Sequence, residues 1–297
     1  MRFGILVLAV IMISGFIFWK DITGLVVKGQ HTKNAEQGKK QDKKGKRQLS
    51  PDVDIAEKWD LPSTLKEVSG IVYIDNQRFA CIQDEAGTIY IYNQAANKIE
   101  KEIPFAGPGD FEDLALVGNT AWALRADGKL YEVDMKATKQ SAKEYSTSLT
   151  VEDNVDGLAY DQVNNRLLLA VKDEEPADKS YKGIYAFDLN SKTFVKEPVY
   201  RIDLDHKVFD KSAGEKKSKQ IRPSGIGIHP VTKEVYVTDG PNKRLLIMDN
   251  SGNIKSLLEL GKDFEQAEGI TFSPQGNVYI SNEGNKQPAN ILQVQIK

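Results

Sequence analysis

The chain has 297 residues, 40% of them hydrophobic and 28% charged, enough for a sizeable core, but its length does not choose between one large all-β domain and two ordinary ones. The net charge of −2 hides an asymmetry, because residues 28–47 carry +6, residues 1–27 carry +1, and the remainder carries −9. So acidic a body lacks the clustered Lys and Arg that phosphate backbones require, which excludes nucleic acid as a partner; the single cysteine, Cys81, excludes an intramolecular disulfide.

In chain order, Met1-Arg2 is followed by 17 uncharged residues, Phe3 to Trp19. That length is close to the lower limit of about 17 for a spanning helix, and Trp19-Lys20 suits an interfacial anchor. Ser14-Gly15 runs straight into Phe16-Ile17-Phe18-Trp19, a poor cleavage site, and no cysteine follows that would accept a lipid. Residues 1–27 therefore read as a signal anchor, with a cleaved signal peptide as the alternative. The short N-terminal tail places the body outside the inner membrane, facing the periplasm, or secreted if the segment is cleaved. Residues 28–53 are polar, basic and without periodicity, and read as a disordered linker.

From residue 54 to 297 a short pattern recurs: an acidic or hydroxyl residue, usually a glycine, then alternating apolar residues. Its copies are Ser69-Gly70-Ile71, Glu112-Asp113-Leu114, Asp156-Gly157-Leu158, Ser224-Gly225-Ile226 and Glu268-Gly269-Ile270. A second apolar run follows each copy (Arg78–Gln83, Thr120–Arg125, Arg166–Lys172, Glu234–Thr238, Asn277–Ser281), and then a third. Outer runs close four units at Ile99–Pro104, Glu144–Leu149, Pro198–Leu204 and Lys255–Leu260. Four short β runs per roughly 40–45 residues is the arithmetic of a β-propeller blade. The fifth unit lacks an outer run, which Asp54–Trp59 can supply, so the spacing predicts a five-bladed propeller closed by its N-terminal strand. A six-bladed ring is the alternative and would need four more strands within residues 173–222. Cys81, in Phe79-Ala80-Cys81-Ile82, reads as a small buried hydrophobe.

The first strand of each blade lines the axis, so Ser69, Glu112, Asp156, Ser224 and Glu268 are expected to form a ring. Converging carboxylates repel one another unless protons, cations or basic side chains neutralise them. Oxygen ligands suit a hard cation, calcium first, which makes Glu112, Asp156 and Glu268 the candidate metal ligands. For Ser69 and Ser224, ligand binding and the capping of strand ends stay equally open. A second tier, where the second strands end, holds Arg125, Lys172, Asn282 and Glu283 as candidate ligand-binding residues. Either cation could neutralise the ring or clamp an anion. The three histidines, His31, His206 and His229, assemble into no catalytic set, and no nucleotide loop or zinc motif is present.

These motifs resemble the SdiA-regulated (YjiK-like) family of bacterial envelope β-propellers. The matching pieces are Glu67-Val68-Ser69-Gly70-Ile71, Gly109 through Ala115, Arg222-Pro223-Ser224-Gly225-Ile226 to His229-Pro230, Ala267-Glu268-Gly269-Ile270 and Ser281-Asn282-Glu283. The resemblance implies a membrane-associated or periplasmic propeller with phytase-like architecture and calcium binding; it departs at Asp156, where the family often carries Glu. Three functions are expected from the sequence. The first is a module binding calcium or a small ligand on its axis, with a role in calcium-linked signalling or homeostasis. The second is a metal-dependent hydrolase of phosphate or other esters. The third is a scaffold that holds a protein partner through the loops 173–182 and 205–222.

Overall fold

The structure, a computed structural model, describes residues 51–136, 141–173, 178–212 and 220–297. The expected signal segment and the linker up to residue 50 lie outside these residues, as do parts of both inserted loops. Among the described residues no helix is long and apolar enough to cross a membrane.

The chain forms five four-stranded antiparallel sheets. Blade 1 is β2 (Val68–Asp75), β3 (Arg78–Gln83), β4 (Thr88–Asn93) and β5 (Lys98–Pro104). Blade 2 is β6 (Phe111–Val117), β7 (Thr120–Arg125), β8 (Leu130–Asp134) and β9 (Ala142–Tyr145). Blade 3 is β10 (Val155–Asp161), β11 (Arg166–Val171), β12 (Tyr181–Asp188) and β13 (Thr193–Asp203). Blade 4 is β14 (Gly225–Ile228), β15 (Val235–Asp239), β16 (Arg244–Met248) and β17 (Ile254–Glu259). Blade 5 takes β18 (Ala267–Phe272), β19 (Val278–Asn282) and β20 (Asn290–Ile296) from the end of the chain. Its outer strand is β1 (Val53–Asp60), which pairs with β20 from Val53 opposite Ile296 to Asp60 opposite Asn290 and covers what would be a free edge. The ring therefore has five blades, not six, and the closing strand starts one residue before the expected boundary. The outer strand of blade 2 also differs from expectation. It ends at Tyr145 because the Thr147 hydroxyl donates to the Gly128 carbonyl and the chain turns away there.

The middle strands are apolar on both sides because each is sandwiched between two cores. In β3, Phe79 and Cys81 enter the cluster shared with blade 5, while Ala80 and Ile82 enter the cluster shared with blade 2. One such cluster fills each of the five joins between neighbouring blades. Alternation with period 2 thus serves two cores at once, and the strand reads as an unbroken apolar run. Cys81 is fully buried, and burial pushes its thiol far above the usual range. The hairpin turns rest on left-handed glycines such as Gly128 and Gly276, at φ +77° and +91°.

The innermost strands β2, β6, β10, β14 and β18 touch in sequence around the axis. They come closest at the position just after each ring residue. A methyl group on Gly225 would lie 2.5 Å from the Glu268 carbonyl oxygen, and one on Gly269 would lie 2.7 Å from the Ile71 nitrogen. Glycine is required there by the approach of one backbone to the next.

Candidate functional site

Antiparallel pairing brings the two expected tiers to the same rim. Val68 lies opposite Gln83, Phe111 opposite Arg125, Val155 opposite Val171, Gly225 opposite Thr238 and Ala267 opposite Asn282. In blades 1, 2 and 3 the register shifts at the ring residue itself, so Ser69, Glu112 and Asp156 are each the extra residue of a β-bulge, and in blade 5 the shift spans Glu268 and Gly269. A bulge breaks the strict alternation and re-aims the side chain it carries.

The five ring positions then divide by chemistry. Ser69 Oγ donates to the Phe111 carbonyl of the next blade at 2.8 Å, and Ser224 Oγ donates to the Ala267 carbonyl at 2.7 Å while accepting the Gly240 N–H. Both hydroxyls are committed to fastening one blade to the next. Thr238 adds a second fastener at the same join, donating to the Glu268 carbonyl at 2.7 Å.

Glu112, Asp156 and Glu268 remain as carboxyls, and Lys172 is their cation. Lys172 stands one residue beyond the end of β11, and its ammonium bonds Asp156 Oδ2. Burial works against that ammonium, but the charges of Asp156 and Glu268 push its pKa up to about 12. Asp156 is completely buried, and its other oxygen, Oδ1, has no hydrogen-bond partner. Burial raises its pKa to about 6 even against the pull of Lys172. Burial, then the charge of Asp156, lifts Glu112 to about 10, and burial lifts Glu268 to about 8. Burial thus holds all three carboxyls of this axial group above the ordinary carboxylate range, with one ammonium among them.

The other expected residues lie apart from this group. Arg125 turns into its own hairpin and binds Asp127 through Nε and a terminal nitrogen, at 2.9 and 2.5 Å. Of the two cations, only Lys172 serves the ring. Asn282 is buried, donates to Asn290 Oδ1 and leaves its own Oδ1 unpartnered; Glu283 accepts from Gln266. Both line a 150 Å³ crevice beside the closing strand, with Lys58 and Lys262. The roots of the two inserted loops are tied together next to Lys172: Asp173 accepts Arg222 on its carboxylate at 2.6 Å and Lys182 on its carbonyl at 2.6 Å.

Two further acids stand at this rim, Asp113 and Asp84. Asp113 stands where the other four blades have glycine. Its carboxyl accepts Leu114 N–H at 2.8 Å and, across the join, Leu158 N–H at 2.7 Å, and it fills the space left by Gly70. Burial raises its pKa well above the carboxylate range despite these bonds. The break in the glycine pattern is the signal that would have found it. Asp84 has a buried, unpartnered Oδ1, and burial, followed by the charges of Glu67 and Glu283, pushes it up to about 6.

A calcium ion takes about six to eight oxygens. Among the described residues no three His, Cys, Asp or Glu side chains cluster closely enough to hold a metal ion. With Lys172 on Asp156 the residues do not fit calcium as they stand; the ammonium would have to leave first.

The opposite mouth of the channel is built differently. The residues four places after the ring, Tyr73, Leu116, Tyr160, Ile228 and Phe272, are all half-buried and line a cavity of about 440 Å³. Polar groups along it bond within the protein: Tyr73 OH to Asn76, Tyr160 OH to Asn165, the Tyr73 N–H to Thr271 and the Asn277 N–H to Ser273. His229 sits at this end, its Nδ1 accepting the N–H groups of Val231 and Thr232.

Solved structures share the fold. Myxococcus xanthus glutaminyl cyclase superposes with a TM-score of 0.55 at 14% identity, covering 82% of this chain and 95% of that one. The PQQ-bound aldose sugar dehydrogenase of Streptomyces coelicolor gives 0.52 at 11% identity, covering 82% and 98%. At such identities the likeness concerns the fold alone. No curated protein matches the chain in sequence. A sequence model of the SdiA-regulated family matches residues 50–287, from the closing strand into the fifth blade, and the chain belongs to that family.

Proposed function

We propose that the protein is a ligand-binding propeller of the cell envelope that takes a small polar ligand at the axial cup of Glu112, Asp156, Glu268 and Lys172. One observation carries this reading: Asp156 is fully buried, with one oxygen on Lys172 and the other on nothing. A buried acceptor left without a donor costs about 1–3 kcal/mol, and such a cost is retained where a ligand supplies the missing donor. The envelope location rests on the apolar segment Phe3–Trp19 ahead of the linker.

The test is calorimetric titration of the full-length chain with alkylamines, amino acids, short sugars, dicarboxylates and CaCl2, repeated with the Glu112→Gln/Glu268→Gln double variant. Binding to the wild type that disappears in the double variant supports the reading; no heat from any probe overturns it. Calcium heat with that pattern would mean that the ion takes the place of the Lys172 ammonium. A hydrolytic role has one feature in its favour, a Glu112 carboxyl pushed up by burial in the electrostatic neighbourhood of the half-buried Lys172, a pairing suited to acid–base chemistry. A panel of phosphate esters and lactones without turnover, with and without Ca²⁺, retires that role.

A further inference from the structure

Two clefts leave the apolar mouth, and they differ in charge. Between blades 3 and 4 a cleft of about 200 Å³ has Tyr160 and Ile228 of the innermost strands at one end and Tyr200 of the outermost strand at the other. Tyr160, Gln162, Ile228 and Pro230 line the axial cavity of about 440 Å³ as well, so the cleft opens inward onto the mouth. Between blades 5 and 1 a groove of about 480 Å³ meets the mouth at Tyr73, Ile74 and Pro274. Its cation, Arg78, is held by Asp75 at 2.6 Å. In the first cleft it is the acid that is satisfied, since Asp161 is bound by Arg166 at 2.8 Å and by Asn164. Lys233 of that cleft is half-buried and uses one of its three ammonium hydrogens on the Pro230 carbonyl, at 2.6 Å. Among the described residues no carboxylate pairs with it.

The walls around Lys233 are apolar and partly uncovered. The hydroxyls of Tyr160 and Tyr200 donate to Asn165 and to the Asn250 carbonyl, which leaves the rings as wall. Val163 on that wall is 72% exposed and Val231, beside Pro230, is 64% exposed; both are among the three most exposed large apolar side chains of the described residues. Uncovered apolar surface around a small cavity marks a binding site. One uncompensated ammonium at its edge fixes the ligand's charge as a single negative one, because an ammonium–carboxylate bond is roughly twice as strong as a neutral one. The five residues of the mouth are half-buried around a hole, which suits one inserted chain and not a flat lipid surface.

We propose that the apolar mouth and the cleft between blades 3 and 4 bind an amphiphilic monoanion, its carboxylate on Lys233 and its unbranched apolar tail running past Tyr160 and Ile228 into the axial cavity. That cavity lies within the roughly 300–1,000 Å³ of small-molecule sites and has room for the tail. The site goes beyond the ring-end reading and is independent of it, since it shares no residue with the group of Glu112, Asp156, Glu268 and Lys172.

The experiment is titration calorimetry of the full-length chain at pH 7 with hexanoate, octanoate, decanoate, octan-1-ol and octylammonium, all below micelle-forming concentrations. The expected result is binding of the carboxylates, tightening by up to about fourfold per added methylene, with octanol and octylammonium at least tenfold weaker than octanoate. Lys233→Gln should weaken octanoate at least tenfold and leave octanol unchanged. Leu116→Asn, which alters the axial cavity but not the cleft, should leave hexanoate unchanged and flatten the gain from hexanoate to decanoate. Octanoate binding unchanged by Lys233→Gln places the amphiphile elsewhere on the chain and overturns the proposal. So does octanol or octylammonium binding as tightly as octanoate, an affinity independent of chain length, or silence from all three carboxylates. Phosphatidylglycerol vesicles bound in a Lys233-dependent way while octanoate is silent would make a membrane the occupant and equally overturn it. Should Leu116→Asn fail to fold, the chain-length series on the wild type and on Lys233→Gln decides alone.

Discussion

The two mouths of the channel are made from the same five strands and differ in whether their polar groups are satisfied. At the ring end, bulged residues present carboxyls, and at least one buried oxygen of this group, Asp156 Oδ1, is left open. Four residues further along each strand, the lining is apolar and aromatic, and hydroxyls around it are bonded within the protein. The lesson is that register does the sorting: one extra residue at the start of a strand decides whether a side chain joins a blade-to-blade core or the axial group. The apolar end is built for cohesion, and the acidic end gives up some of it.

Substitutions can break or sharpen this contrast. The largest effect is expected inside the ring-end rim itself, at the fully buried Arg244–Asp239 pair of blade 4. Arg244→Met leaves Asp239 buried without its partner and should cost about 3–5 kcal/mol in urea denaturation. Lys172→Met should cost clearly less, because Asp156 can take up a proton in its place; equal costs would mean that the two pairs are alike in kind. At the apolar mouth, Ile270→Ala removes a side chain only 4% exposed and should cost about 2–5 kcal/mol, equally at pH 5 and pH 8. Gly225→Ala tests the close approach of the strands and should cost about 1–3 kcal/mol by thermal melting.

The pH dependence has a definite sign. Glu268 and Glu112 have pKa values raised from 4.5 to about 8 and about 10 in the folded protein, so the folded state binds more protons than the unfolded one between those limits. Stability from these groups is full below about pH 4.5 and is lost as pH rises, through 8 for Glu268 and through 10 for Glu112. Tm should therefore fall from pH 5 to pH 9, and Glu268→Gln should flatten the part below 8; a slope unaffected by that change would assign it to other groups. The smallest effect is expected from Glu112→Gln at pH 7, a change within about 0.5 kcal/mol, since an amide replaces a carboxyl that already holds its proton.

The blades were legible in the sequence because the pattern that makes them is local and repeated. The five motif copies begin within one residue of the start of β2, β6, β10, β14 and β18, and the closing strand was visible as a missing outer run. The site was legible only as a set of positions. Serine and carboxyl are equivalent as ring residues in a pattern, yet Ser69 and Ser224 find carbonyls on the next blade. Arg125 and Lys172 look alike as cations ending apolar strands. They part because Arg125 still belongs to the ladder and opens a tight turn containing Asp127, whereas Lys172 follows the last paired residue of β11. Such differences depend on partners brought close by ring closure, which no local period encodes.

The borrowed strand of blade 5 sets the order of events in the life of the chain. The bond from Lys297 Nζ to the Pro51 carbonyl joins positions 246 residues apart. While the protein is being made, β1 has no partner until β20 has been synthesised. Until then the nascent chain carries one orphan strand near its start, and contacts this distant in sequence form slowly. A chain stopped before Asn290 would keep four complete blades and still be unable to latch.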